Sequence, residues 1–153
     1  MDAQMKRTWA EVDFDKLAHN YHALRGLAPA GTKYLGLVKA DAYGHGAVPV
    51  AKKLEELGAD YLGVACLDEA IEVREAGVKT PILILGCTSS IYAAELVKYN
   101  ITQACYDLEY AKELSAGAQK AGGTITVHIQ CDTGMTRLGF MCHEETMEKS
   151  ASE

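Results

Sequence analysis

A parallel α/β fold is what the sequence predicts, and three observations carry that prediction. Short, continuous apolar runs rich in Ile, Val, Leu and Tyr recur along the chain, as in strands buried on both faces. Segments with apolar residues at helical spacing separate these runs. Glycines fall at the ends of those segments, where a left-handed cap is wanted. The first run, Tyr34–Val38, stops at Lys39 and a glycine-containing turn; the helical pattern after it carries Val50, Leu54 and Leu57 and closes at Gly58. Tyr61–Ala65 is the second strand, Asp68 opens the next helix through Ala70, Val73 and Ala76, and Gly77 ends it. Ile82–Leu85 precedes a helix marked by Ala93, Leu96 and Val97. Ile101–Cys105 leads to a helix opened by Asp107, running through Leu108, Ala111, Leu114 and Ala118 to the Gly122-Gly123 pair, and Thr124–Gln130 is the fifth strand. Steps of about 20 to 27 residues suit right-handed crossovers between parallel strands. An open doubly wound sheet and an arc of an eight-stranded barrel share this pattern, and periodicity does not separate them.

Composition narrows the function classes. The chain has 153 residues, 48% of them hydrophobic, which is enough for one core of ordinary size, and no linker or low-complexity segment interrupts it. A net charge of −6 without any basic cluster argues against nucleic acid or an anionic membrane as partner. The longest apolar stretch, around Pro81–Leu85, is too short to span a bilayer, and Met1–Arg7 leads into no apolar signal core. The expectation is a cytoplasmic protein. Five cysteines at irregular spacing, with no Cys-x-x-Cys pair, read as packing thiols in a reducing compartment. His128, Cys131, Cys142 and His143 match no ligand spacing, so no metal is expected.

The segment Val38-Lys39-Ala40-Asp41-Ala42-Tyr43-Gly44-His45-Gly46 carries the chemistry. A strand that stops at a lysine points an amine into whatever pocket the following loop encloses. Burying that charge is costly unless the amine is paired or deprotonated, and a desolvated amine condenses with aldehydes. These nine residues resemble the pyridoxal-phosphate lysine motif of the alanine racemase family. Thr8-Trp9-Ala10-Glu11-Val12-Asp13 resembles the family's N-terminal strand, with a helix to follow through Leu17, Asn20 and Leu24. Asp132-Thr133-Gly134-Met135-Thr136-Arg137-Leu138-Gly139 resembles its second active-site loop.

The resemblance implies a partial (β/α)8 TIM barrel in which residues 1–153 form an incomplete N-terminal cofactor domain with about five of eight strands, and the C-terminal β domain is absent. It implies a pyridoxal 5'-phosphate-dependent isomerase that interconverts L- and D-amino acids. Alanine is the expected substrate, giving D-alanine for peptidoglycan precursors, and the enzyme is expected to work as a homodimer with shared active sites. Lys39 is then the Schiff-base lysine and the base on one face of the substrate; a tyrosine from a later region, across the dimer interface, serves the other face. Tyr43 is expected at the cofactor phosphate, and Arg137 at the phenolic oxygen and the substrate carboxylate. Barrel strands all end on one face, so Lys39 after the first strand and Arg137 after the fifth are expected to converge from opposite sides of the mouth. One position departs from the family. Where many members carry a carbamylated lysine that orients the arginine, this chain has Gln130, and a chloride near Arg137 and Gln130 is expected to replace the carbamate.

Two other readings compete. A non-catalytic pyridoxal-phosphate-binding homeostasis protein of the small stand-alone barrel type also holds its cofactor on a lysine after an early strand. A dinucleotide-binding turn at Gly44-x-Gly46, with Asp60 or Asp68 for the ribose, is less apt: Pro49 occupies the third glycine position, and four residues separate the strand end from the first glycine.

Overall fold

The computed structural model describes residues 8–142, and the chain divides into two units, residues 1–32 and 33–153. In the first, helix α1 (Phe14–Leu27) begins at Asp13, whose carboxylate accepts from the N–H groups of Asp15 and Lys16, both at 3.0 Å. That cap satisfies two of the donors every helix start leaves open. Residues 8–13 do not form the expected strand. A strand exists only in a ladder, and no other described segment pairs with them.

The second unit is built on one sheet of five parallel strands: β1 (Leu35–Leu37), β2 (Tyr61–Val64), β3 (Ile82–Ile84), β4 (Ile101–Cys105) and β5 (Val127–Ile129). Each strand pairs with the next in sequence, with Leu35 opposite Tyr61, Leu62 opposite Ile82, Ile82 opposite Ile101 and Gln103 opposite Val127. The short α2 (Lys39–Gly44) and α3 (Ala47–Glu56) join β1 to β2. The next three crossovers are α4 (Leu67–Glu75), α5 (Ala93–Lys98) and α6 (Leu108–Lys120). This is the partial (β/α)8 barrel architecture the sequence predicts, with β5 shorter than the run Thr124–Gln130 suggests.

Two glycines reveal the two faces of the sheet. A Cβ on Gly36 would lie 2.5 Å from Leu54, so α3 rests directly on β1. A Cβ on Gly63 would meet Leu37 at 2.6 Å and Leu35 at 2.8 Å on the opposite face. The helix-covered face holds the core: Leu62, Val64, Ile82 and Ile84 are sealed, beneath Ala51, Ala70, Val73 and Leu96. Leu37, on the other face, is 41% exposed.

Where the strands begin, charged side chains stitch the connections. The Arg74 guanidinium donates to the carbonyls of Val78 (2.7 Å), Thr80 (3.2 Å), Tyr99 (3.0 Å) and Asn100 (3.2 Å). Glu55 Oε2 accepts from the N–H groups of Lys79 and Thr80, both at 2.6 Å, and from Thr80 Oγ1 at 2.8 Å. Carbonyls and N–H groups that precede β3 and β4 thus find partners outside the ladder. Among the described residues, no helix is long and apolar enough to cross a membrane.

Candidate active site

Lys39 is the second residue past β1. The ladder runs on through Val38, whose N–H donates to Gly63 O at 2.9 Å, and Lys39 leaves it half-buried. The backbone then winds the wrong way. Ala40, Asp41, Ala42 and Tyr43 have φ between 50° and 55°, one turn of left-handed helix made without glycine. At about 1–2 kcal/mol per residue, that turn costs on the order of 4–8 kcal/mol, and the surroundings must impose it. Inside the turn, Ala42 N donates to Val38 O and Gly46 N to Asp41 O, both at 2.9 Å. From outside, Ala40 N donates to Glu69 Oε1 at 2.7 Å, and Asp41 Oδ1 accepts from Ala47 N, the first N–H of α3, at 2.7 Å. The result puts the Lys39 ammonium 5.9 Å from the centre of the Tyr43 ring. Tyr43 is 61% exposed, so it does not pack beneath the loop and its hydroxyl is open to a ligand.

Arg137 sits in the connection between two short strands, β6 (Cys131–Asp132) and β7 (Phe140–Met141), beyond β5. Asp132 shapes that loop: its Oδ1 accepts from the N–H groups of Gly134 and Thr136, both at 2.9 Å. Gly139 closes it at φ 126°, and a Cβ there would lie 2.7 Å from Asp132 N and 2.8 Å from Gln130 O. No larger residue fits. Arg137 itself is exposed, and among the described residues no hydrogen bond or ion pair holds it.

Gln130 differs from its expected part. Its Nε2 donates to Leu138 O at 3.2 Å, and its Oε1 is buried with no partner. One amide hydrogen is thus spent on the main chain, and no contact between Gln130 and Arg137 is seen among the described residues.

All five strands are parallel, so Lys39 and Arg137 leave the sheet from the same end. They stand at its two edges, β1 and β5. At about 4.8 Å per strand their loops are roughly 19 Å apart along a flat sheet, and curling shortens that. No contact links Arg137 to Lys39 or Tyr43 among the described residues. Between them, past β2 and β3, lies a cavity of about 250 Å³ lined in part by Cys66, Asp68, Cys87 and Thr88. On its rim Cys87 Sγ and the Tyr106 hydroxyl are 2.8 Å apart. Burial pushes the Tyr106 phenol well above its usual range, and the hydrogen bond to Cys87 adds to the rise. His143 lies outside the described residues.

Two anchors of the turn escape a reading by sequence, Glu69 and Asp41. Glu69 stands in the first turn of α4, three residues after its N-cap Cys66. An acid at that position signals a side chain reaching back over the helix start, and Glu69 Oε2 does accept from Ala65 N at 2.7 Å. Its second bond, to Ala40, leaves no local trace.

Comparison with known proteins agrees with the fold. A family profile described as alanine racemase, N-terminal domain, matches residues 12–151. An alanine racemase of Clostridium perfringens is 46% identical over 97% of this chain and 38% of its own length. A solved alanine racemase of Clostridium difficile, in complex with cycloserine, superposes with a TM-score of 0.90 at 41% identity, covering 97% of this chain and 41% of that one. A histidine racemase of Leuconostoc mesenteroides superposes with a TM-score of 0.79 at 30% identity, over 91% of this chain and 37% of that one. The chain therefore spans about two fifths of the length of the relatives it matches.

Proposed function

The chain belongs to the family of the alanine racemase N-terminal domain, and on that premise we propose that it forms the cofactor-binding part of a pyridoxal-phosphate-dependent amino-acid racemase. The observation that carries the reading is the placement of Lys39: a half-exposed amine where β1 ends, beside an exposed phenol, on a turn whose strain needs a purpose. That donor set fits pyridoxal phosphate, which asks for one amine and for hydrogen-bond donors to its phosphate. When bound, the cofactor supplies an aldehyde for the amine and a ring that withdraws electron density from the substrate α-carbon.

This chain's residues then divide the work. Lys39 Nζ holds the cofactor and, once freed, takes or returns the proton on one face of the α-carbon. The Tyr43 hydroxyl donates to the phosphate. Arg137 presents a planar cation to the substrate carboxylate and the phenolic oxygen. The acid for the opposite face comes from outside residues 1–153, contributed by a partner subunit in a cytoplasmic homodimer. Residues 1–153 are the incomplete barrel domain, and a β domain completes the protein. An anion beside Arg137, chloride included, would be held by the Arg137 guanidinium.

Alanine is the proposed substrate, in the direction that supplies D-alanine for cell-wall precursors. Its test is exchange of L- and D-alanine by the full-length protein, with histidine and serine as comparison substrates, the first because a histidine racemase shares the fold. Exchange of alanine that disappears on removing the cofactor supports the proposal. Tight cofactor binding with no exchange of any amino acid overturns it in favour of a non-catalytic cofactor-binding protein.

A further inference from the structure

The left-handed turn after Lys39 lacks an internal partner for its first residue. Ala40 is exposed at φ 50°, ψ 50°, and its N–H has left the ladder that ends at Val38. Glu69 takes up that N–H at 2.7 Å with one carboxylate oxygen and the N–H of Ala65 at 2.7 Å with the other. Ala65 is the residue immediately past β2, so a single carboxylate ties the exit of β1 to the exit of β2. Both contacts are short bonds to an ionised acceptor, the stronger class of hydrogen bond. From within the turn, Asp41 Oδ1 accepts from Ala47 N at the start of α3, beyond the turn's far end. Lys39 lies just before the first of these anchors, and Tyr43 lies between the two.

A lysine side chain has a long flexible stem, and the direction in which its amine leaves a strand is set by the peptide at its root. We infer that Glu69 is a positioning residue for Lys39: it fixes the Ala40 peptide to the end of β2 and thereby aims both the Lys39 amine and the Tyr43 phenol at one ligand. The inference rests on the reading of Lys39 as the cofactor-binding amine. It predicts that the turn is formed before any cofactor arrives, because its anchors lie on α4 and β2 and not on a ligand.

The test uses the full-length protein as wild type, Glu69→Gln and Lys39→Ala. Glutamine keeps the shape of the side chain but offers one oxygen where two N–H groups require two. Glu69→Gln is expected to weaken pyridoxal-phosphate binding by about tenfold or more, to lower kcat more than it raises KM, and to change the visible circular-dichroism band of the lysine-bound cofactor, which reports cofactor orientation. A lower melting temperature with affinity, kcat-to-KM split and band unchanged would mean a merely structural role and overturn the inference. The second measurement needs no variant to fold: in cofactor-free wild type the exposed Ala40 amide is expected to exchange its hydrogen slowly, and exchange at the rate of an open loop overturns the inference as well. If Lys39→Ala retains the wild-type band, the reading of Lys39 falls, and this inference with it. A band that depends on Lys39 but is indifferent to Glu69 refutes the positioning role alone.

Discussion

The two ends of the sheet are built on opposite plans. Where β3 and β4 begin, Arg74 and Glu55 spend their hydrogen-bonding capacity on the main chain, four carbonyls for one and two N–H groups plus a hydroxyl for the other. Where the strands end, Lys39, Tyr43 and Arg137 are exposed or half-exposed and keep their polar atoms off the main chain. At the first end both signs of charge are consumed in holding the fold; at the second the acids Glu69, Asp41 and Asp132 do that work, and the cations Lys39 and Arg137 are held in reserve. In barrels of this kind the second end is where catalysis lives, and the contrast lets stability and activity be separated by mutation.

The largest effect is expected from Lys39→Ala, which removes the amine and leaves the stitched end intact. Racemisation in the full-length protein should fall by at least about a thousandfold, while the urea midpoint stays close to wild type; a large loss of stability would break the division between the ends. Arg74→Met is its mirror image. It strands four carbonyls and removes the positive charge beside Glu55, and should lower unfolding free energy by about 3–5 kcal/mol in denaturant titration with the KM of the surviving folded protein unchanged. Tyr43→Phe keeps the ring and deletes only the hydroxyl. It should weaken pyridoxal-phosphate binding by about tenfold to a hundredfold, the worth of one hydrogen bond to a charged group, measured by fluorescence titration. Asn100→Gly is the mildest. Asn100 lies just before β4 at φ 50° and gives Arg74 its backbone carbonyl. Glycine adopts that conformation freely, so stability should move by less than about 0.5 kcal/mol.

Legibility in the sequence follows the same division. Ile101–Cys105 reads correctly to the residue and is buried throughout, although Thr102 and Gln103 break its apolar character; Gln103 is accommodated by donating to the carbonyls of Gly86 and Ala104. Asp107 reads as a cap and is one, accepting from Tyr110 N at 2.7 Å. Thr124–Gln130 reads too long, since at β5 the apolar run continues beyond the paired residues. Thr8–Asp13 reads as a strand by likeness, but pairing is a property of two segments and the second is not in the described chain. At the active end, the motif around Lys39 is visible and its conformation is not. Ala40-Asp41-Ala42-Tyr43 contains no glycine and only Asp41 among residues that tolerate positive φ; the turn is anchored by Glu69, 29 residues away, and by Asp41 reaching forward to α3. Long-range anchoring of that sort has no local signature. The Gln130 amide is similar, for its orientation is decided by the Leu138 carbonyl across the loop.

Strand order in space is also the order in which the strands are synthesised, β1 to β5. Such a sheet is laid down in the direction of translation: each new strand–helix unit closes a short loop onto an edge already in place, with no wait for a distant segment. The growing edge is β5, where Val127 is 39% and Ile129 63% exposed and, among the described residues, one side of the backbone has no neighbour in the sheet. An edge of that kind accepts any compatible strand. During synthesis, then, the nascent chain is most vulnerable to wrong partners when Ile129 has emerged and the residues that follow have not.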